Sequence, residues 1–185
     1  LNLVVVDEQH RFGVQQRARL RGNGYNPHML VMTATPIPRT MTLTMYGDLD
    51  VSRLTEMPEG RQTVKTGLVS SDRRSKAYAF VCDQVNQGRQ AFIVFPVIEE
   101  SENQQVRAAE DEFARLQRDE FSSFSTRMGL LHGRLSSAQK SEVMKAFRDG
   151  GIKILVSTSV VEVGVDIPNA TVMMIEGAER FGLAQ

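Results

Sequence analysis

The sequence predicts an α/β fold in two pieces, each built on a parallel β-sheet. Three observations predict it. Short apolar runs without polar alternation recur along the 185 residues, the pattern of strands buried on both faces. Several of these runs are separated by helical stretches of 12–18 residues, as βαβ crossovers require. The cycle also restarts after the turn Pro58-Glu59-Gly60. Residues 1–60 therefore read as the C-terminal portion of a first domain, 61–66 as a linker and 67–185 as a second domain.

Each element has a local reason. Leu1–Val6 is apolar except for Asn2 and suits a strand buried on both faces. Residues 11–21 are polar and arginine-rich, a helix ending at Gly22-Asn23-Gly24. Met29–Met32 is a second strand. Pro36 and Pro38 then break the chain, leaving Arg39–Tyr46 as a short helix. Val51–Met57 and Gly67–Ser70 are weak strand candidates. Asp72–Gln87 fits a helix, with Ser70, Ser71 or Asp72 as N-cap and Gly88 as the stop. Gln90–Val97 is a strong strand. Asn103–Glu120 is a long helix with Val106, Ala109, Phe113, Leu116 and Glu120 along one face. Arg127–Leu131 is a strand, and Ser136–Arg148 a helix with Val143, Met144 and Phe147 inward. Gly150-Gly151 ends that helix, and Ile152–Ser157 and Ala170–Ile175 are the last strands.

Composition excludes several classes. Hydrophobic residues make up 41% and charged residues 24%, an ordinary globular mix that rules out disorder and collagen. No apolar run approaches the ~20 residues of a membrane span. The single cysteine, Cys82, leaves no disulfide framework and no zinc-ligand spacing, which favours a reducing, intracellular setting. The formal net charge of zero is unevenly spread. Residues 99–120 carry a net −5, and the rest of 67–185 carries +3. Such a chain can grip phosphates while looking neutral overall. The chain opens inside an apolar run and stops without a charged tail, so both ends read as excisions from a longer chain.

Four segments carry chemistry. Asp7-Glu8-Gln9-His10 follows the first strand, where open α/β sheets bind ligands. Paired carboxylates there can divide labour: one holds Mg²⁺, which prefers oxygen ligands, and the other orients or deprotonates a water. Alone, the segment also reads as a solvated acidic loop. Thr33-Ala34-Thr35-Pro36-Ile37-Pro38-Arg39 places hydroxyls at the next strand end, where they can sense a γ-phosphate. Thr35 is equally a helix N-cap with Pro36 at the first helical position. Ser157-Thr158-Ser159 through Gly164 and Asp166 supplies hydroxyls for phosphate, a Gly for close backbone approach and an Asp for a ribose hydroxyl; a plain strand-turn-strand connection is the alternative. Leu131-His132-Gly133-Arg134, before a Ser-capped helix, is a phosphate-contact loop or a surface turn. Two features are missing. No Gly is followed by Lys, so the usual phosphate-cradling loop is not in this chain. With no Trp and three Tyr, no aromatic platform for stacking single-stranded bases is visible.

In combination and in order, these segments resemble a superfamily-two helicase motor: Asp7-Glu8-Gln9-His10 resembles motif II, Thr33-Ala34-Thr35 motif III, and 157–168 motif V. The extended runs Asp-Glu-Gln-His-Arg-Phe-Gly-Val (7–14), Thr-Ala-Thr-Pro-Ile-Pro-Arg-Thr (33–40) and Glu-Arg-Phe-Gly-Leu-Ala-Gln (179–185) are similar to the RecG branched-DNA helicases, as is Phe95–Glu102. The resemblance covers essentially the whole chain. It implies two RecA-like (P-loop NTPase-type) domains with ATP between them. It implies that Asp7 holds Mg²⁺ and Glu8 activates the hydrolytic water. His10, Thr33, Thr35 and Arg39 would couple hydrolysis to movement. Gly164 and Asp166 would face the nucleotide. His132, Gly133, Arg134, Thr158 and Ser159 would hold the DNA backbone.

The implied substrate is branched double-stranded DNA in recombination and repair, in a bacterial cytoplasm, with single-strand binding protein as a second candidate partner and no membrane. The Gly-Lys loop is expected upstream of Leu1 and the arginine-rich motif VI after Gln185, so this segment alone is expected to hydrolyse no ATP. Three rivals remain: a transcription-repair coupling translocase, disfavoured by Gln9 and by Glu99-Glu100-Ser101-Glu102; a non-catalytic DNA-binding module on a decayed motor fold; and a small metallohydrolase using Asp7, Glu8 and His10. The last is geometrically poor, because adjacent positions on an extended turn point different ways.

Overall fold

The computed structural model describes residues 3–7, 28–33, 50–56, 63–96, 102–158 and 167–181. The chain divides into two compact units, residues 1–62 and 63–183.

In the first unit, β1 (Leu3–Asp7) pairs in parallel with β2 (His28–Met32). Leu3 lies opposite His28 and Asp7 opposite Met32. Val4 and Val6 are buried, whereas Leu3 and Val5 are 58% and 54% exposed. Burial on both faces was expected. Among the described residues β1 has one partner strand and one covered face, so its burial alternates. The expected helices over 11–21 and 39–46 lie outside the described residues. Val51–Met57 is not a strand over its described part, which is irregular and exposed.

The second unit holds a four-stranded parallel sheet in the order β4-β5-β3-β6. Its strands are β3 (Gln90–Val94), β4 (Met128–Leu131), β5 (Ile154–Ser157) and β6 (Ala170–Ile175). Helices α1 (Arg74–Asn86), α2 (Glu102–Arg115) and α3 (Ser137–Arg148) alternate with them. Tyr78, Val81 and Val85 of α1, with Leu116 just beyond α2, pack on Ala91, Ile93, Ile154 and Val156. Phe147 of α3, with Val143 and Met144 beside it, packs on Phe92 and Leu155. One sheet face therefore meets α1 and the end of α2, and the other meets α3. Because successive strand residues point to opposite faces, the apolar residues Ile154, Leu155 and Val156 of β5 fill both cores.

Local signals explain most boundaries. Ser136 caps α3: its hydroxyl accepts from the Gln139 N–H at 3.2 Å, while the Gln139 side chain accepts from the Ser136 N–H at 2.9 Å. This is a capping box. Gly88 ends the turn after α1 with φ at +90°, a conformation that costs an L side chain. The buried Gln90 is fully used. Its amide donates to the Phe147 and Ile152 carbonyls, and its oxygen accepts from Asn169.

Three further expectations need correction. Gly67–Ser70 is irregular and exposed, with no strand beside it among the described residues. None of Ser70, Ser71 and Asp72 caps α1 through its side chain; a 3-10 turn over Ser71–Arg73 leads into the helix instead. The long helix is α only to Arg115 and then widens to a π-turn over Leu116–Glu120, where the Phe121 N–H donates to the Leu116 carbonyl at 2.8 Å. A 3-10 helix over Ser122–Arg127 precedes β4.

Candidate functional site

Parallel pairing brings all strand C-termini of a unit to one edge, and that edge is where α/β sheets bind ligands. In the first unit it carries Asp7, the last residue of β1, and Thr33, the residue after β2. Since Asp7 lies opposite Met32, Thr33 sits one residue beyond it on the neighbouring strand. Both are exposed. Glu8, His10, Thr35 and Arg39 lie outside the described residues.

In the second unit the same edge brings together two stretches that are far apart in sequence. Leu131 and Ser157 are register partners at the ends of β4 and β5. The chain beyond β4 is His132-Gly133-Arg134, and beyond β5 it is Thr158. The Thr158 N–H donates to the Leu131 carbonyl at 3.2 Å. The Leu135 N–H donates to the His132 carbonyl, also at 3.2 Å, which folds the loop into a turn ahead of the Ser136 cap. Gly133 faces open space and Arg134 is exposed. The Nδ1 of His132 is buried with no hydrogen-bond partner among the described residues. An exposed guanidinium, an open glycine and a helix N-terminus side by side can hold a phosphate. Ser159, Gly164 and Asp166 lie outside the described residues.

The edge also holds a polar group that motif reading passed over. Glu176 follows β6 directly. Its carboxylate accepts from the Tyr78 hydroxyl at 2.6 Å and from Arg74 Nε at 3.2 Å, and its other oxygen pairs with Arg74 at 3.1 Å. Arg115 binds Glu112 through two hydrogen bonds of 2.7 and 2.9 Å, and Glu112 also meets Arg74 at 3.5 Å. Burial, then the hydrogen bond and charge of Glu176, push the Tyr78 phenol up to about 12. The hydrogen bonds it donates to Glu112 hold Arg115 above its ordinary value, against the pull of burial. No spacing rule links Tyr78 to Glu176, so no sequence signal pointed to the pair.

The chain belongs to the family of the helicase conserved C-terminal domain, whose model matches residues 73–184. Within it, the chain is similar to RecG proteins. It is 55% identical over 185 residues to the ATP-dependent DNA helicase RecG of Synechocystis sp., and 53% identical over 185 residues to that of Thermotoga maritima. It covers 100% of itself but only 22% and 24% of those relatives, so it spans about a quarter of their length. Among solved structures, RecG bound to a three-way DNA junction matches with a TM-score of 0.73 at 47% identity, over 100% of this chain and 23% of that one. S. cerevisiae Dbp5 bound to RNA and ADP BeF3 matches with a TM-score of 0.56 at 17% identity, over 94% of this chain and 44% of that one. At that identity the likeness shows the fold alone: parallel α/β helicase domains of RecA-like type.

Proposed function

We propose that this chain is the central part of an ATP-dependent DNA helicase, with the boundary near residues 58–67 separating two motor domains. The observation that carries the reading is where the motif residues fall. Asp7 and Thr33 share the C-terminal edge of one sheet, and His132, Gly133, Arg134 and Thr158 share that of the other. The relatives named ATP-dependent DNA helicase RecG support it.

Asp7 fits the Mg²⁺ that an ATP-dependent motor uses. It is one exposed carboxylate at a strand end, and Mg²⁺ usually keeps several waters and phosphate oxygens beside one or two such ligands. No group of three His, Cys, Asp or Glu suited to a closed metal cage occurs among the described residues. When bound, Mg²⁺ offsets charge on the phosphates. Glu8, next in sequence, would take a proton from the attacking water. His10, Thr33, Thr35 and Arg39 relay the change to the rest of the domain. By the resemblance, Gly164 and Asp166 would contact the nucleotide. His132, Gly133, Arg134, Thr158 and Ser159 grip phosphate and sugar, contacts that carry no sequence information and suit a motor. The DNA is branched duplex, as in the RecG junction complex, and the setting is recombination and repair in the cytoplasm, with single-strand binding protein as a partner.

The test is steady-state ATP hydrolysis by the full-length protein, with and without forked DNA, beside Glu8→Gln. A general base contributes roughly 10²–10⁴-fold, and the variant is expected to lose stimulated hydrolysis by about that factor. Fork binding without hydrolysis in the wild type would replace this reading with a DNA-binding module on an inert motor fold.

A further inference from the structure

We propose that Glu176, gripped by Tyr78 and Arg74, is a positioning residue that fixes the direction in which the chain leaves β6, and with it Gly177–Phe181. The inference rests on the helicase reading for its consequence in activity, but its geometry stands apart from that reading.

The Glu176 N–H donates to the Val94 carbonyl at 2.9 Å, so its backbone still belongs to the β6–β3 ladder. One residue later the chain turns. Gly177 has φ at +55°, and a Cβ there would lie 2.9 Å from Pro96, the residue two after β3. The chain then makes one 3-10 turn, in which Arg180 and Phe181 donate backbone N–H groups to Gly177 and Ala178 at 2.9 and 3.2 Å. Apart from these short contacts, the side chain anchoring this exit is Glu176.

Its anchor is rigid on the far side. Tyr78 is 2% exposed and packs edge-on against Phe121 with ring centroids 5.5 Å apart. Arg74 lies over the Tyr78 ring, 5.6 Å from its centroid. A carboxylate with a neutral phenol and a guanidinium on its two oxygens has most of its hydrogen-bond directions fixed. A surface ion pair would be worth little. This one is seated on a buried aromatic, so it holds a direction as well as a charge. The segment it directs contains Glu179-Arg180-Phe181, the start of one of the runs similar to RecG. Loss of the anchor should leave the core standing and let this segment swing.

The test uses the full-length protein with Glu176→Ala, Tyr78→Phe and the double variant, and Arg118→Ala as a control that breaks only the exposed Arg118–Asp119 pair. Hydrogen exchange is read on the 177–181 amides, and hydrolysis as kcat apart from KM for ATP and fork affinity. Glu176→Ala is expected to speed exchange at 177–181 by about tenfold while α1 and β3 amides keep their protection. Stimulated kcat is expected to fall about five- to tenfold, with KM and fork affinity within about twofold. The double variant should be no worse than Glu176→Ala, because the two groups act as one unit. Unchanged exchange at 177–181, multiplied effects in the double variant, or loosening spread evenly through α1 and β3 would each overturn the proposal. A wild type that hydrolyses no ATP would sink the helicase reading and leave the exchange result to decide this one.

Discussion

The two units use the same parallel pairing to different depths. In the second, the central strands β3 and β5 are packed on both faces, and Phe147, Ile154 and Leu155 are 0% exposed. In the first, the described strand pair has one apolar face covered and one open, with Leu3, Val5 and Leu30 each at least 50% exposed. Yet both carry described motif residues at the C-terminal edge of the sheet: Asp7 and Thr33 in one, His132, Gly133, Arg134 and Thr158 in the other. Edge chemistry therefore follows from strand direction and register, while stability follows from how many faces are covered.

Substitutions can break that contrast. Phe147→Ala removes a fully buried ring from the α3 side of the second sheet and should cost about 3–5 kcal/mol. Val6→Ala, on the covered face of β1, removes two methyl groups and should cost about 1–2 kcal/mol. Hydrogen exchange of the β5 and β1 amides reports each loss in its own unit, and an equal or larger loss at Val6 would end the contrast.

A smaller effect sharpens it, because only the second unit has a half-buried ionisable network at its edge among the described residues. Folding raises the Tyr78 phenol from 10.0 to about 12. The folded protein therefore keeps a proton that the unfolded chain gives up. The stability from this group is fully present below pH 10.0 and is lost as the pH rises through about 12. Denaturant melts should lose on the order of 1 kcal/mol over that window. Tyr78→Phe should flatten that part of the profile, and a profile unchanged by the variant would remove Tyr78 as its cause.

Much of this was legible in the sequence because the signals are local. Ala170–Ile175 is a strand at the expected bounds, and Ser136 caps its helix as expected. Gly88 stops the first long helix. The failures are equally physical. Leu68 and Val69 are apolar enough for a strand, but they are exposed and have no strand beside them among the described residues, and strand propensity depends on having a neighbour. Leu116 and Glu120 suit an α-helical face and a π-turn alike, so periodicity cannot separate the two. For the site, the motif residues could be read in order along the chain. That Thr158 lies beside His132 depends on β5 pairing with β4, which sequence order does not dictate. The Tyr78–Glu176 contact joins the first helix to the last strand of its unit, beyond any motif.

In the proposed function the two edges do separable work: phosphate chemistry at Asp7 and Glu8, DNA grip at His132–Arg134 and Thr158. The most direct measurement sets Glu8→Gln and Arg134→Ala side by side in the full-length protein, reading fork affinity against salt and unstimulated ATP hydrolysis. Glu8→Gln should bind forks normally and lose hydrolysis by roughly 10²–10⁴-fold. Arg134→Ala should hydrolyse at the unstimulated rate, bind forks more weakly and lower the salt slope by about 1. If Arg134→Ala leaves fork binding and its salt slope unchanged, or Glu8→Gln hydrolyses ATP at the wild-type rate, the division between the edges is wrong.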